Sequence, residues 1–207
     1  MEPLVQDPYN IIMTGVGGQG NVMASRVLAN MLSRKGYWVT IGETFGASQR
    51  GGSVMSHIRV SAASTWSPQI PRGQAHVVIA LEPMEALRIL ANYGNRGVIM
   101  LLNTRPIHPV SVIAGEHNYP PLDAVKQTLE ELSSRVWIIQ ATEEALKLGN
   151  PILSNIIMIG AVSGLDLLPV GLEDFLAVIR ETFPERLLDV NRRAFEIGSS
   201  KVKTGVH

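Results

Sequence analysis

The sequence predicts an α/β domain that opens on a Rossmann-like strand–turn–helix and closes on a helical segment. Three observations point there. Ile11 to Lys35 runs from an apolar strand through a glycine turn into a helix. Short continuous apolar strands then alternate with amphipathic helical stretches. From Pro151 onward only helical spacing remains.

Taken in order, Tyr9 to Thr14 reads as a buried strand. Gly15-Val16-Gly17-Gly18-Gln19-Gly20 turns into a helix over Asn21 to Lys35, apolar except for a stripe through Arg26, Asn30 and Arg34. Gly36 is placed to end it, and a second strand runs from Tyr37 to about Glu43. The segment from Gly46 to Ser53 has no apolar period and three glycines, so a loop stands where a second crossover helix is due. Val54 to Ser61 alternates apolar and polar residues, the pattern of an edge or antiparallel strand. Trp66 to Gly73 is a proline-punctuated turn.

The strand–helix rhythm resumes with a strand over Ala75 to Leu81, a helix from Pro83 and Met84 to Tyr93, and a strand over Gly97 to Asn103. Four prolines make Thr104 to Pro121 an irregular connection. Leu122, Val125, Leu129 and Leu132 mark an amphipathic helix, Val136 to Ala141 a strand, and Thr142 a cap for a short helix carrying Glu143 and Glu144. The α/β part thus covers about residues 9–150 and the helical part about 151–197 of a single domain. Within the latter, Gly160, Ala161, Ser163 and Gly164 are small enough for another backbone to approach closely. The polar tail from Gly198 is expected to fray.

Composition narrows the function classes. Lys+Arg 18 balances Asp+Glu 18 in 207 residues, so bulk charge attracts neither nucleic acid nor a membrane surface. Without cysteine the chain forms no disulfide, thiolate zinc site or cysteine-ligated iron–sulfur cluster of its own. Met1 to Asn10 lacks the basic start and apolar run of a signal peptide. The apolar stretch Ile156 to Val162 is far short of the roughly 18 residues that spanning requires. A cytoplasmic location is expected. The five histidines show no metal spacing.

Two constellations carry chemistry. Gly15, Gly17 and Gly20 fit G-x-G-x-x-G between a strand and a helix, with Glu43 where a ribose-binding acid would stand. That pattern suits a stand-alone NAD(P)-binding protein, another ligand's phosphate or carboxylate at the helix start, or glycines that only permit close packing. The interrupted crossover after Glu43 weakens the dinucleotide reading. Gln49-Arg50-Gly51-Gly52 sets a fixed charge beside exposed backbone N–H groups, which suits an anion, a partner's backbone, or a plain solvated turn. The candidate ligand- or partner-binding residues are therefore Gly15, Gly17, Gly18, Gln19, Gly20, Gln49, Arg50, Gly51 and Gly52, with no catalytic residue and no metal ligand among them.

Four segments occur in order that together resemble one family: Gly15 to Asn21, Glu43 to Val54, Ser67 to Pro71 and Leu81 to Arg88. The chain from about Asn10 to Phe195 is similar to the gamma domain of 2-oxoacid:ferredoxin oxidoreductases, closest to the beta subunit of the indolepyruvate type. The resemblance implies a three-layer α/β/α domain with a mixed sheet. It also implies a large alpha subunit as partner, which holds thiamine diphosphate, Mg2+ and [4Fe-4S] clusters, with ferredoxin reached through the holoenzyme. This chain would bind none of these groups itself, would be inactive alone, and would pack near the thiamine site, with CoA at the interface. Phe45, Ala47 and His76 depart from the family's frequent histidine, methionine and aspartate at these places. The first two flank the Gln-Arg-Gly-Gly loop, and these departures leave a pyruvate, 2-oxoisovalerate or 2-oxoglutarate relative open beside the indolepyruvate type.

Overall fold

The computed structural model describes residues 3–45 and 52–203. In chain order the strands are β1 (Tyr9–Val16), β2 (Trp38–Phe45), β3 (Ser53–Ser61), β4 (Val77–Ala80), β5 (Ile99–Asn103) and β6 (Arg135–Ile139). The helices are α1 (Asn21–Arg34), α2 (Pro83–Tyr93), α3 (Val110–Ile113), α4 (Leu122–Leu132), α5 (Ala141–Lys147), α6 (Ser154–Gly164), α7 (Leu172–Thr182) and α8 (Leu188–Lys203). The strands form one mixed sheet in the order β2-β3-β1-β4-β5-β6. β1, β4, β5 and β6 are mutually parallel, and β3 is antiparallel to both of its neighbours.

Alternation along the parallel strands sorts side chains into two cores. Ile11, Met13, Val77 and Ile79 join the core shared with α1 and α5 to α8, whereas Ile12, Val78, Ala80 and Met100 join the core under α2 and α4. The result is a three-layer α/β/α domain with a mixed sheet, as the family resemblance implied. Gly36, at φ 93°, closes α1 in the left-handed conformation that L side chains resist.

β3 corrects the edge reading, though its antiparallel direction is as expected. It lies between β1 and β2, and all but its first residue is buried. Its polar face carries His57 and Arg59 and is covered by the segment 66–74 rather than by solvent. Arg59 donates to Asn10 Oδ1 (3.1 Å) and to the carbonyls of Ser67 (3.0 Å) and Gln69 (3.3 Å), and its guanidinium sits 5.1 Å over the Trp66 ring. Hydrogen bonds to backbone carbonyls thus take the place of water around a buried cation. His57 Nδ1 accepts from the Ile70 N–H at 3.3 Å, and Asn10 donates to the Gln74 carbonyl at 2.9 Å. His76 Nδ1 accepts from the Asn10 N–H at 2.8 Å, an acceptor role that an aspartate there would also serve.

These histidines give the fold an acid-sensitive side. Burial pushes the His57 and His76 imidazoles below their usual range, with Arg59 adding to the effect on His57. The unfolded chain therefore takes up protons first as pH falls below about 6.5. Stability is full above that value and is lost progressively below it, down to the depressed folded-state values. Thermal melts between pH 7.5 and 5.5 are expected to show a falling Tm, and His57→Gln and His76→Gln each flatten the slope. A slope unchanged in both variants would assign the acid sensitivity elsewhere.

Two helix boundaries differ from the sequence reading. Thr142 does not cap α5: the N-cap is Gln140, and the Thr142 hydroxyl accepts from Asn103 Nδ2 at 2.9 Å instead. The tail does not fray at Gly198. α8 continues to Lys203 with Gly198 and Val202 buried, because Gly198 lies directly against α6. The irregular connection 104–121 contains the short α3, whose Val110 and Ile113 are exposed. Among the described residues no helix is long and apolar enough to cross a membrane.

Candidate functional site

The described candidate residues, Gly15, Gly17, Gly18, Gln19, Gly20 and Gly52, lie at the carboxyl edge of the sheet, where open α/β folds bind ligands. The glycine turn leaves β1 at that edge. Because β3 runs antiparallel, its first residues and the end of β2 lie there too. The Gly17 N–H donates to the Gly52 carbonyl at 2.8 Å, so the two glycine-rich motifs, 35 residues apart in the chain (52 − 17), are tied by one backbone hydrogen bond. Gln49, Arg50 and Gly51 lie outside the described residues.

Inside the turn each element has a local reason. The Gln19 side chain folds back over the turn: Oε1 accepts from the Val16 N–H at 2.7 Å and Nε2 donates to the Leu81 carbonyl at 2.8 Å. Gln19 therefore bridges β1 to the end of β4. A Cβ on Gly15 would sit 2.6 Å from that Oε1 and 3.0 Å from Leu81 Cβ, so Gly15 makes room for the bridge. Gly20 precedes α1 with φ 75°, and a Cβ there would meet Asn155 Nδ2 at 2.3 Å. That amide donates to the Gln19 (3.1 Å) and Gly20 (3.4 Å) carbonyls, locking the turn to α6. Of the turn's N–H groups, those of Gly17 and Gln19 are spent inside the protein, the latter on the Val16 carbonyl at 3.2 Å. Gly18, at φ 104°, is exposed and its N–H makes no hydrogen bond among the described residues.

The dinucleotide pattern loses its second half here. β3 takes the place beside β1 that β2 would occupy in a βαβ unit. Glu43 is engaged by Arg26 of α1 at 3.2 Å.

The start of α2 carries two carboxylates that hold the neighbouring loops. Glu82 is the N-cap and accepts from the Glu85 N–H at 2.9 Å. Its other oxygen accepts from the Ile107 N–H at 3.3 Å and from the Tyr119 hydroxyl. It is 1% exposed and has no cation beside it among the described residues. Burial and the facing carboxylate push the Tyr119 phenol far above its usual range, which keeps it a donor. Glu85 accepts from Ser53 Oγ at 2.7 Å, and Arg88 contacts both, so the residue after Gly52 is clamped to α2. In the sequence both acids stand at a helix start, where capping and dipole effects explain them as well as catalysis does. The spacing Glu82-x-x-Glu85 signals the cap, whereas nothing local announces Tyr119 or Ser53.

The donor set limits which cofactors this chain holds. It supplies no thiolate to a cluster, and no group of three His, Asp or Glu suited to a metal occurs among the described residues.

Comparison with known proteins agrees with this picture. The indolepyruvate oxidoreductase subunit IorB of Thermococcus kodakarensis is 40% identical over 196 residues, covering 94% of this chain and 96% of that protein. The pyruvate synthase subunit PorC of Methanothermobacter marburgensis is 29% identical, covering 91% of this chain and 94% of its own. Among solved structures, pyruvate oxidoreductase subunit PORC of Thermotoga maritima shares the fold with a TM-score of 0.71 at 22% identity, covering 94% of this chain and 97% of that chain. The 2-oxoglutarate:ferredoxin oxidoreductase of Magnetococcus marinus shares it with a TM-score of 0.76 at 19% identity. There the match covers 97% of this chain and 32% of that chain, so the fold also occurs as part of a longer polypeptide. Residues 10–201 match the family model described as pyruvate ferredoxin/flavodoxin oxidoreductase, and the chain belongs to that family.

Proposed function

We propose that this chain is the small, non-catalytic subunit of a thiamine-dependent 2-oxoacid:ferredoxin oxidoreductase of the indolepyruvate type. The observation that carries the reading is the 40% identity to IorB over nearly the full length of both chains. In this reading a large alpha subunit holds thiamine diphosphate, Mg2+ and [4Fe-4S] clusters. The holoenzyme cleaves the bond between the carboxylate and carbonyl carbons of an aryl 2-oxoacid. Carbon dioxide leaves, the acyl carbon forms a thioester with CoA, and two electrons pass to ferredoxin. The missing cysteines accord with that division of labour. The chain's own contribution is to present the glycine turn at the carboxyl edge of its sheet to the partner and to CoA at the interface, with Arg50 as a charged contact to one of them.

Purification of the natively expressed chain is expected to bring down a larger, cysteine-rich, thiamine-binding protein. A stable lone homodimer with its own turnover would refute the reading. Arg50→Ala is expected to lower indolepyruvate-dependent ferredoxin reduction by the reconstituted complex about tenfold, the loss of one charge-assisted contact. The isolated chain should melt as before. Unchanged turnover would remove Arg50 from the interface. The rival reading, a stand-alone NAD(P)-binding protein, is favoured only by the glycine pattern. It requires NADH to bind the chain alone, which a fluorescence titration to millimolar NADH decides.

A further inference from the structure

The carboxyl edge also holds a cleft, of which the subunit reading uses only the glycine turn. It has a volume of ≈ 300 Å³ and lies between the glycine turn, the chain leaving β5 and the start of α6. This is the small end of the range for ligand sites. Its walls combine apolar Ile107 and Ile152 with Gly18, Arg105, Thr142 and Ser154, and no acidic residue lines it.

The polar groups there are short of partners. Arg105 is exposed and makes no ion pair or hydrogen bond among the described residues. Ser154 is 4% exposed, and its hydroxyl has no hydrogen-bond partner among the described residues. Its Oγ is not sealed in the core, and Ser154 is one of the residues that line the cleft. A nearly buried hydroxyl with no partner is uncommon enough to require an explanation. Thr142 accepts from Asn103 and keeps its own proton unspent. The Gly18 N–H is likewise unspent.

The lining therefore offers one permanent cation, two hydroxyl donors and one backbone donor, with no carboxylate to oppose an anion. That surplus exceeds what the two oxygens of a carboxylate would use and matches a phosphoryl group, whose three terminal oxygens accept several bonds at once. The two isoleucines suit an apolar portion of the same ligand. We propose that this cleft binds the phosphoryl end of a small organic phosphate, with Arg105 as counter-ion and Ser154 as the buried donor.

The proposal goes beyond the subunit reading and does not depend on it, because the test uses the full chain without a partner. Phenyl phosphate serves as the probe, titrated calorimetrically at low salt, with benzoate as the carboxylate of similar shape. Wild type is expected to bind phenyl phosphate more tightly than benzoate. Arg105→Gln should weaken phenyl phosphate binding at least about tenfold and Ser154→Ala about threefold, in keeping with charged and neutral hydrogen bonds. Arg96→Gln, an exposed arginine before β5, should leave binding unchanged. Melting curves matching wild type show that each variant is folded. The proposal is overturned by no binding at millimolar phenyl phosphate, by benzoate binding as tightly, or by Arg105→Gln behaving like Arg96→Gln.

Discussion

Gly198→Ala is expected to destabilise the chain by about 3 kcal/mol or more and to lower its Tm by about 6–12 °C. The cause is the closeness of α6 and α8. A Cβ on Gly198 would lie 1.8 Å from the Ile157 carbonyl oxygen and 2.8 Å from the Ala161 nitrogen, both backbone atoms that no rotamer change can move. Gly160 faces the same crossing from the other side, where a Cβ would lie 2.0 Å from the Phe195 carbonyl oxygen. Two effects oppose each other. Alanine is the better helix former by about 1 kcal/mol, but the two helices must separate to admit the methyl. That separation loosens contacts throughout a helix whose residues are all buried, and it disturbs the stacked Phe175–Phe195 pair at 4.5 Å. The clash outweighs the propensity. Thermal and denaturant melts of Gly198→Ala beside Arg193→Ala check this. Arg193 is exposed on the same helix, and its truncation should stay within about 0.5 kcal/mol of wild type. A Gly198→Ala chain as stable as wild type would mean the helices are not held this close.

Glu82→Ala is expected to cost about 3 kcal/mol, measured by denaturant unfolding. The carboxylate is buried, so water does not replace it readily. Its removal takes the α2 cap, worth about 1 kcal/mol. It also leaves the Ile107 N–H and the Tyr119 hydroxyl without their acceptor, each a loss of roughly 1–3 kcal/mol before local relaxation. Tyr119→Phe removes one of those donors and is expected to cost about 1 kcal/mol. Because the phenol and the carboxylate share one contact, the double variant should be less destabilised than the sum of the two single changes. Strict additivity would break the assigned pair. Glu82→Gln keeps an acceptor oxygen but turns an amide N–H toward one of the donors, so it should fall between wild type and Glu82→Ala. In a reconstituted complex the same series reads whether the 104–121 connection must be held for turnover.

Much of the fold was legible because its signals are local. Apolar runs marked the parallel strands, since a strand buried on both faces needs no polar alternation. Gly36 marked the end of α1, and the small residues Gly160, Ala161, Ser163 and Gly164 correctly announced a second backbone at close range. β3 was harder. Its alternation is real, but the polar face meets a folded-back segment instead of water, and a buried arginine satisfied by carbonyls looks in sequence like an exposed one. Thr142 was misassigned for a similar reason: its partner, Asn103, is 39 residues away.

The candidate site divides along the same line. By itself the sequence determined that a glycine turn joins β1 to α1, that a second glycine-rich stretch of sequence follows β2, and which family such motifs resemble. These depend on residue type and short spacing. Only the tertiary structure decided that the two motifs meet through Gly17 and Gly52, that Gln19 bridges to Leu81, and that Glu82 and Glu85 hold the flanking loops. Those contacts join residues brought together by the order of strands in the sheet. That order is set by which faces bury together, a sum over the whole core that no single segment encodes.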